Sequence, residues 1–148
     1  MYLVVSNRRT NNSTYFENPE ALKFYLASEL GITQLLFFCW SWIVQKDILD
    51  SYECYGMHTG PLLEGRGRGG DPIGNLKQLG VNMTTLCAFK MTEKLDGGQV
   101  KVAIPISLNM SKEEVIHQAD KYLPLISNYL FTKPPEIPET FKRADVKK

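Results

Sequence analysis

Two residues could work as an acid–base pair: His58 in "GMHTGPLLEGRG" and Asp96 in "KLDGGQV". Histidine is the side chain whose ordinary pKa lies nearest neutrality. A carboxylate beside it fixes its tautomer and favours its charged form. Between the two runs "EGRGRGGDPIGNL", a flexible segment carrying two guanidiniums, Arg66 and Arg68. Three kinds of site use such a stretch: a phosphate-binding loop, a nucleic-acid tether, or one wall of a catalytic cleft. Taken alone, Asp96 followed by Gly97 reads as a plain turn.

The first two uses fit poorly. Gly65, Gly67 and Gly70 spell G-x-G-x-x-G. The dinucleotide motif, however, follows a strand at once, opens a helix, and has an acidic residue about 20 positions on. Here the probable strand ends well before Gly65 and no acidic residue stands at that distance. Gly60 and Gly65 have Walker spacing, but Arg66 and Gly67 stand where lysine and serine or threonine hold phosphate and magnesium. A tether of RGG type belongs to strongly basic, disordered segments with aromatic residues nearby. This chain has 17 basic and 16 acidic residues and a net charge of +1. That balance gives no support to bulk binding of nucleic acid or anionic membrane.

The elements around His58 favour a cleft. "YLVVSN" reads as a strand, and "RRTNNSTYFE" as a polar loop. "NPEALKFYLASELG" reads as a helix with Asn18 as N-cap, Pro19 at the first position and Gly31 beyond the end. Its apolar stripe is Ala21, Leu22, Tyr25, Leu26 and Leu30. "ITQLLFFCW" is nearly continuous in apolar residues, as a strand buried on both faces is. Strand, helix, strand predicts a parallel β-α-β unit. "VQKDILDSY" predicts a short helix and "CYGMH" a strand ending at His58, where ligands of open parallel sheets gather. Asp71 and Pro72 start a helix that Gly80 ends. "TTLCAFKMT" and "QVKVAIPISL" are β-rich runs across a turn at Asp96-Gly97. "SKEEVIHQADKYLPLISNYL" opens with a capping box, Ser111 with Glu114, and carries Pro124 as a kink point.

The chain has 148 residues and 43% hydrophobic content, enough for one domain with a real core. We divide it into a catalytic domain over 1–132 and a proline- and lysine-rich tail over 133–148. Cys39, Cys54 and Cys87 form no framework spacing and predict free thiols in a reducing, cytoplasmic setting. Two histidines and no Cys-x-x-Cys argue against a zinc site. "LLFFCWSWIV" is too short to span a bilayer, and the N-terminus lacks the pattern of a secretory signal.

The combination "MHTGPLLEGRG", "DPIGNL", "TTLCAFKM" and "LDGG" resembles the folate-dependent formyltransferases, which include the methionyl-tRNA, glycinamide ribonucleotide and sugar-nucleotide enzymes. The resemblance covers roughly residues 32 to 108. It implies an α/β, Rossmann-like formyltransferase fold: a mostly parallel sheet flanked by helices, shortened at its N-terminus, with an edge that a homodimer would cover. It implies 10-formyltetrahydrofolate as co-substrate, with no metal, and a small-molecule amine as acceptor, an amino sugar on a nucleotide being preferred. It does not imply a nucleic-acid or membrane partner.

Carried over by matching position, His58 is the catalytic histidine and Asp96 the carboxylate that holds it. The backbone of Trp42, Ile43 and Val44, with Leu95, Gly97 and Gly98, would cradle the pterin. Arg66, Arg68, Gly69 and Gly70 would meet the folate tail or an acceptor phosphate. The family's asparagine two residues before the histidine is Gly56 here, with Asn75 as a substitute oxyanion donor. The alternative is a catalytically impaired folate- or nucleotide-binding module of the same fold.

Overall fold

Leu35 and Leu36 are neighbours in the chain, and both are fully buried. Consecutive strand residues point to opposite faces, so the sheet is covered on both sides at this strand, as its unbroken apolar run predicts. The computed structural model describes residues 1–59, 77–80, 82–92 and 98–132. The elements in chain order are β1 (Tyr2–Ser6), β2 (Thr14–Tyr15), α1 (Pro19–Ser28), β3 (Gln34–Phe37), α2 (Lys46–Ser51), β4 (Glu53–Thr59), β5 (Met83–Lys90), β6 (Val100–Ser107) and α3 (Lys112–Phe131). One sheet holds six strands in the order β2-β1-β3-β4-β5-β6. The first four run parallel, and β5 and β6 are antiparallel to their neighbours.

Strand alternation sorts the core into two. Leu3, Val5, Leu35, Phe37 and Cys54 meet Leu22 and Leu26 of α1 and Ile48 of α2. Val4, Leu36, Tyr55, Leu86, Ala88 and Ile106 meet Val115, Ala119, Leu123 and Ile126 of α3. The helices that follow β2 and β3 therefore cover one face, and the helix that follows β6 covers the other.

Several expectations are met locally. Asn18 caps α1 by accepting from the Ala21 N–H at 2.8 Å, with Pro19 next in line. Ser111 and Glu114 form the reciprocal capping box of α3. The two β-rich runs pair as neighbours from Met83↔Ser107 to Phe89↔Val100. Gly80 has φ +75° and donates to the Lys77 carbonyl, as a glycine ending a helical turn does. The expected start of that helix at Asp71 and Pro72, the turn at Asp96-Gly97 and the tail from 133 lie outside the described residues.

Other expectations need correction. α1 stops at Ser28, not next to Gly31, and Leu30 is 93% exposed rather than part of the buried stripe. Glu29 is extended, so the last stripe residue falls beyond the helix. The polar loop contains β2, which pairs Thr14 and Tyr15 with Val5 and Ser6. Neither residue is buried, so no hydrophobic periodicity announces it. Cys39 lies past β3 rather than in it, with φ +53°. β4 runs one residue beyond His58, to Thr59.

α3 continues through Pro124. Proline has no N–H, so the carbonyl four residues earlier, that of Asp120, loses its helical donor. Asn12 replaces it: its Nδ2 donates to the Asp120 carbonyl at 3.1 Å and to Asp120 Oδ2 at 3.1 Å. The Asn12 backbone N–H donates to Oδ1 at 3.1 Å. Asp120 is 2% exposed, so this carboxylate depends on protein donors rather than water. Asn12→Ala is expected to lower the unfolding free energy by about 1–3 kcal/mol. Asn11→Ala, next to it and exposed, should cost less than about 0.5 kcal/mol. Urea titration of the two variants checks the contrast, and equal effects would refute the clamp.

Candidate functional site

Because β1, β3 and β4 are parallel, their carboxyl ends share one edge of the sheet, the edge where such sheets bind ligands. The strands do not end level. Phe37, the last residue of β3, pairs with Gly56. Met57, His58 and Thr59 therefore run on past β3, flanked by β5 alone. The chain leaving β3 turns away at Cys39, whose positive φ is uncommon for a residue with a Cβ. His58 thus stands, half-buried, where two parallel neighbours diverge.

Alternation puts Gly56 and His58 on the face of Cys54. Antiparallel pairing sets Cys87 opposite His58 and Phe89 opposite Gly56. Directly opposed side chains in such a pair lie about 4.5–5.5 Å apart at Cβ. Cys87 and Phe89 are buried and pack with Met91 and Val100. A bulge between Ala88 and Phe89 shifts the register against β6 at this point, as bulges beside sites commonly do. The sequence reading missed both Cys87 and Phe89. Only the antiparallel register of β4 with β5 brings them to His58, and no local pattern encodes that register.

The consequence at Gly56 is steric. A Cβ built there would lie 2.7 Å from the Cζ of Phe89 and 3.1 Å from Cε1. The ring fills the place a side chain at position 56 would take. The carboxamide that the resemblance leads one to expect two residues before the histidine has no room while Phe89 stays where it is.

The segment after β3 forms another wall. Trp40 packs on Phe37 at 5.7 Å between centroids and edge-on against Trp42 at 5.0 Å. Trp42 is partly exposed and Ile43 is 76% exposed, while Val44 packs on the α1/α2 core. Among the described residues, no backbone hydrogen bond engages Trp42, Ile43 or Val44. A cleft of about 20 Å³ lies between this segment and α1, lined in part by Pro19, Leu22, Ile43 and Val44. It has room for about one water and is too small for a heterocycle.

Gly98 lies at the return of the chain to β6, and a Cβ there would collide with the Lys90 carbonyl. Glycine is therefore required by close approach. Asp96, Asn75, Leu95, Gly97, Arg66, Arg68, Gly69 and Gly70 lie outside the described residues. The three cysteines are free thiols, as expected. Burial pushes Cys39 up to about 11, against the opposing pull of Arg8 and Lys112. Burial likewise pushes Cys54 up to about 12, and its thiol contacts the carbonyls of Ile48 and Tyr52. Neither is suited to act as a thiolate nucleophile.

No family model matches the chain, and no curated protein matches it. Solved structures do. Methionyl-tRNA formyltransferase from Clostridium thermocellum superposes with a TM-score of 0.71 at 24% identity, over 91% of this chain and 66% of that one. Phosphoribosylglycinamide formyltransferase from Streptococcus pneumoniae gives 0.59 at 23%, over 76% of this chain and 66% of that one. Glycinamide ribonucleotide transformylase 1 from Geobacillus kaustophilus gives 0.54 at 22%, over 73% and 62%. The fold is the formyltransferase fold. The chain spans just under two thirds of the length of these formyltransferases.

Two predictions follow from the geometry of this formyltransferase fold. Gly56→Ala should lose about 1 kcal/mol or more net, the clash with Phe89 outweighing the roughly 0.5–1 kcal/mol a strand gains from losing a glycine. In a Phe89→Leu background the same change should cost less. A double-mutant cycle by urea unfolding that came out additive would exonerate Phe89.

The thiols give the second. Both folded pKa values lie above the ordinary 9.0, so the folded state holds these protons longer than the unfolded chain. Stability from this source is complete below about pH 9 and falls as pH rises through 9 toward 12. Ultraviolet thiolate absorbance, read beside unfolding curves, should locate the loss there. Titration of these thiols near 9 would contradict it.

Proposed function

We propose that the chain is an N-formyltransferase that moves a formyl group from 10-formyltetrahydrofolate to a primary amine. The observation that carries this reading is the position of His58, past the last residue of β3 on a sheet that superposes on formyltransferases over most of the chain. The backbone of Trp42, Ile43 and Val44, which has no backbone hydrogen bond among the described residues, supports it.

Bound 10-formyltetrahydrofolate would supply the formyl group. His58 takes the proton that the attacking amine must shed, or, when charged, stabilises negative charge on the formyl oxygen. Asp96 holds the imidazole in the tautomer that leaves the working nitrogen facing the substrate. Trp42–Val44, Leu95, Gly97 and Gly98 hold the pterin by backbone groups, Asn75 donates to the oxyanion, and Arg66, Arg68, Gly69 and Gly70 meet the folate tail or an acceptor phosphate. The acceptor is an amino sugar on a nucleotide, a preference that rests on the likeness of "RGRGGDP" to the sugar-modifying branch. The site is cytoplasmic, and two copies of the chain pair to cover the sheet edge.

One observation favours a second reading, a catalytically impaired folate- or nucleotide-binding module. Phe89 occupies the place of a side chain at position 56, and losing one oxyanion donor typically costs about 100- to 1,000-fold in rate.

Calorimetric titration with 5-formyltetrahydrofolate, a stable donor mimic, comes first. A turnover screen of amino-sugar nucleotides, glycinamide ribonucleotide and methionyl-tRNA follows. Micromolar binding is expected, with turnover on an amino-sugar nucleotide. His58→Ala should keep the binding and lose the turnover. Binding with no turnover on any acceptor would favour the second reading, and absence of binding by the folded chain would sink both folate readings.

A further inference from the structure

The segment between β3 and α2 is tied down at two points by side chains from elsewhere. Asn7, in the loop after β1, donates from Nδ2 to Ser41 Oγ at 2.9 Å and accepts the Ser41 backbone N–H on Oδ1 at 3.0 Å. Lys23 of α1 donates to Gln45 Oε1 at 2.6 Å and pairs with Asp47 at 3.3 Å. Between these ties lie Trp42, Ile43 and Val44, whose backbone groups have no backbone partner among the described residues.

The two ties are unequal. Both lie at exposed positions, but the Lys23 contacts join side chain to side chain only, and exposed ion pairs hold little. The Asn7 contact is two-pronged and grips a main-chain N–H, so it sets the path of the backbone. Asn7 is itself held from behind, because its loop is anchored by Asn12 on the buried Asp120. A strip with unpaired amides gains nothing from being ordered unless something binds it. Ordering it in advance removes that cost from the binding step.

We propose that Asn7 is a positioning residue for the ligand: through Ser41 it holds the Trp42–Val44 backbone in register to meet a planar heterocycle with alternating donors and acceptors. The proposal rests on the folate reading above for the identity of that heterocycle, and on the geometry alone for the ordering of the strip.

The test uses the full chain as wild type, Asn7→Ala and Asn7→Asp. Calorimetry with 5-formyltetrahydrofolate is the first readout and backbone amide relaxation at Trp42, Ile43 and Val44 the second. Asn7→Ala should weaken binding by about tenfold, the effect of having to order roughly one residue on binding. It should also lower the order of the three amides while leaving the thermal midpoint nearly unchanged. Asn7→Asp should bind like wild type, since the carboxylate still accepts the Ser41 N–H and the Ser41 hydroxyl can turn to donate. Equal binding by wild type and Asn7→Ala would overturn the proposal, as would three amides equally ordered in both. Failure of the wild type to bind would overturn the folate identity, and the relaxation comparison would still decide whether Asn7 orders the strip.

Discussion

A missing hydrogen-bond donor inside α3 fixes the path of the loop that borders the candidate site. Pro124 strips the Asp120 carbonyl of its helical partner, and Asn12 supplies the donor from the loop after β1. The same asparagine neutralises the hydrogen-bonding demand of a carboxylate that is almost wholly buried. An unpaired buried carboxylate would be far more costly than an exposed loop is worth. The loop therefore has one low-energy course, back over α3. That course delivers Asn7 to Ser41 and Phe16 to the α1 core. Proline in a helix is usually counted as a defect. Here it opens a docking point that ties the two faces of the sheet together.

Much of this architecture was legible in residue patterns because burial and capping leave local marks. Leu35 and Leu36 are adjacent and apolar, and only a two-sided strand needs that. Asn18 with Pro19, and Ser111 with Glu114, are cap chemistry that works in one place on a helix. β2 left no mark, since its two residues are exposed and pair with β1 through the main chain. The end of α1 was misjudged because Leu30 and Gly31 imitate a helix terminus. The chain in fact becomes extended at Glu29 and leaves Leu30 in solvent.

The candidate site was legible only in part, and for a physical reason. His58 announced itself by type and by its place at the end of a predicted strand. Phe89 and Cys87 did not, because their nearness to it is a matter of the β4/β5 register, set between strands far apart in the chain. Gly56 read as a missing asparagine. In the folded chain it is a position whose neighbouring ring, that of Phe89, has taken the space. The Asn7–Ser41 tie spans the gap between two loops and has no periodicity to detect.

β4 is the seam on which these features meet. On one side it is parallel to β3, and a parallel neighbour contributes chain ends: the strand stops, the backbone turns at Cys39, and the Trp42–Val44 strip follows with no backbone hydrogen bond among the described residues. On the other side it is antiparallel to β5, and an antiparallel neighbour contributes side chains in register, Phe89 against Gly56 and Cys87 against His58. A wholly parallel sheet would give His58 a second set of chain ends and no opposed side chains. A wholly antiparallel one would bury its flank in ladder hydrogen bonds. Because β4 outruns β3 while remaining paired to β5, His58 has β5 on one flank and stands past the last residue of β3 on the other. The paired flank is where shape is decided, and there the Phe89 ring fills the space beside Gly56 without disturbing the strand that carries the histidine.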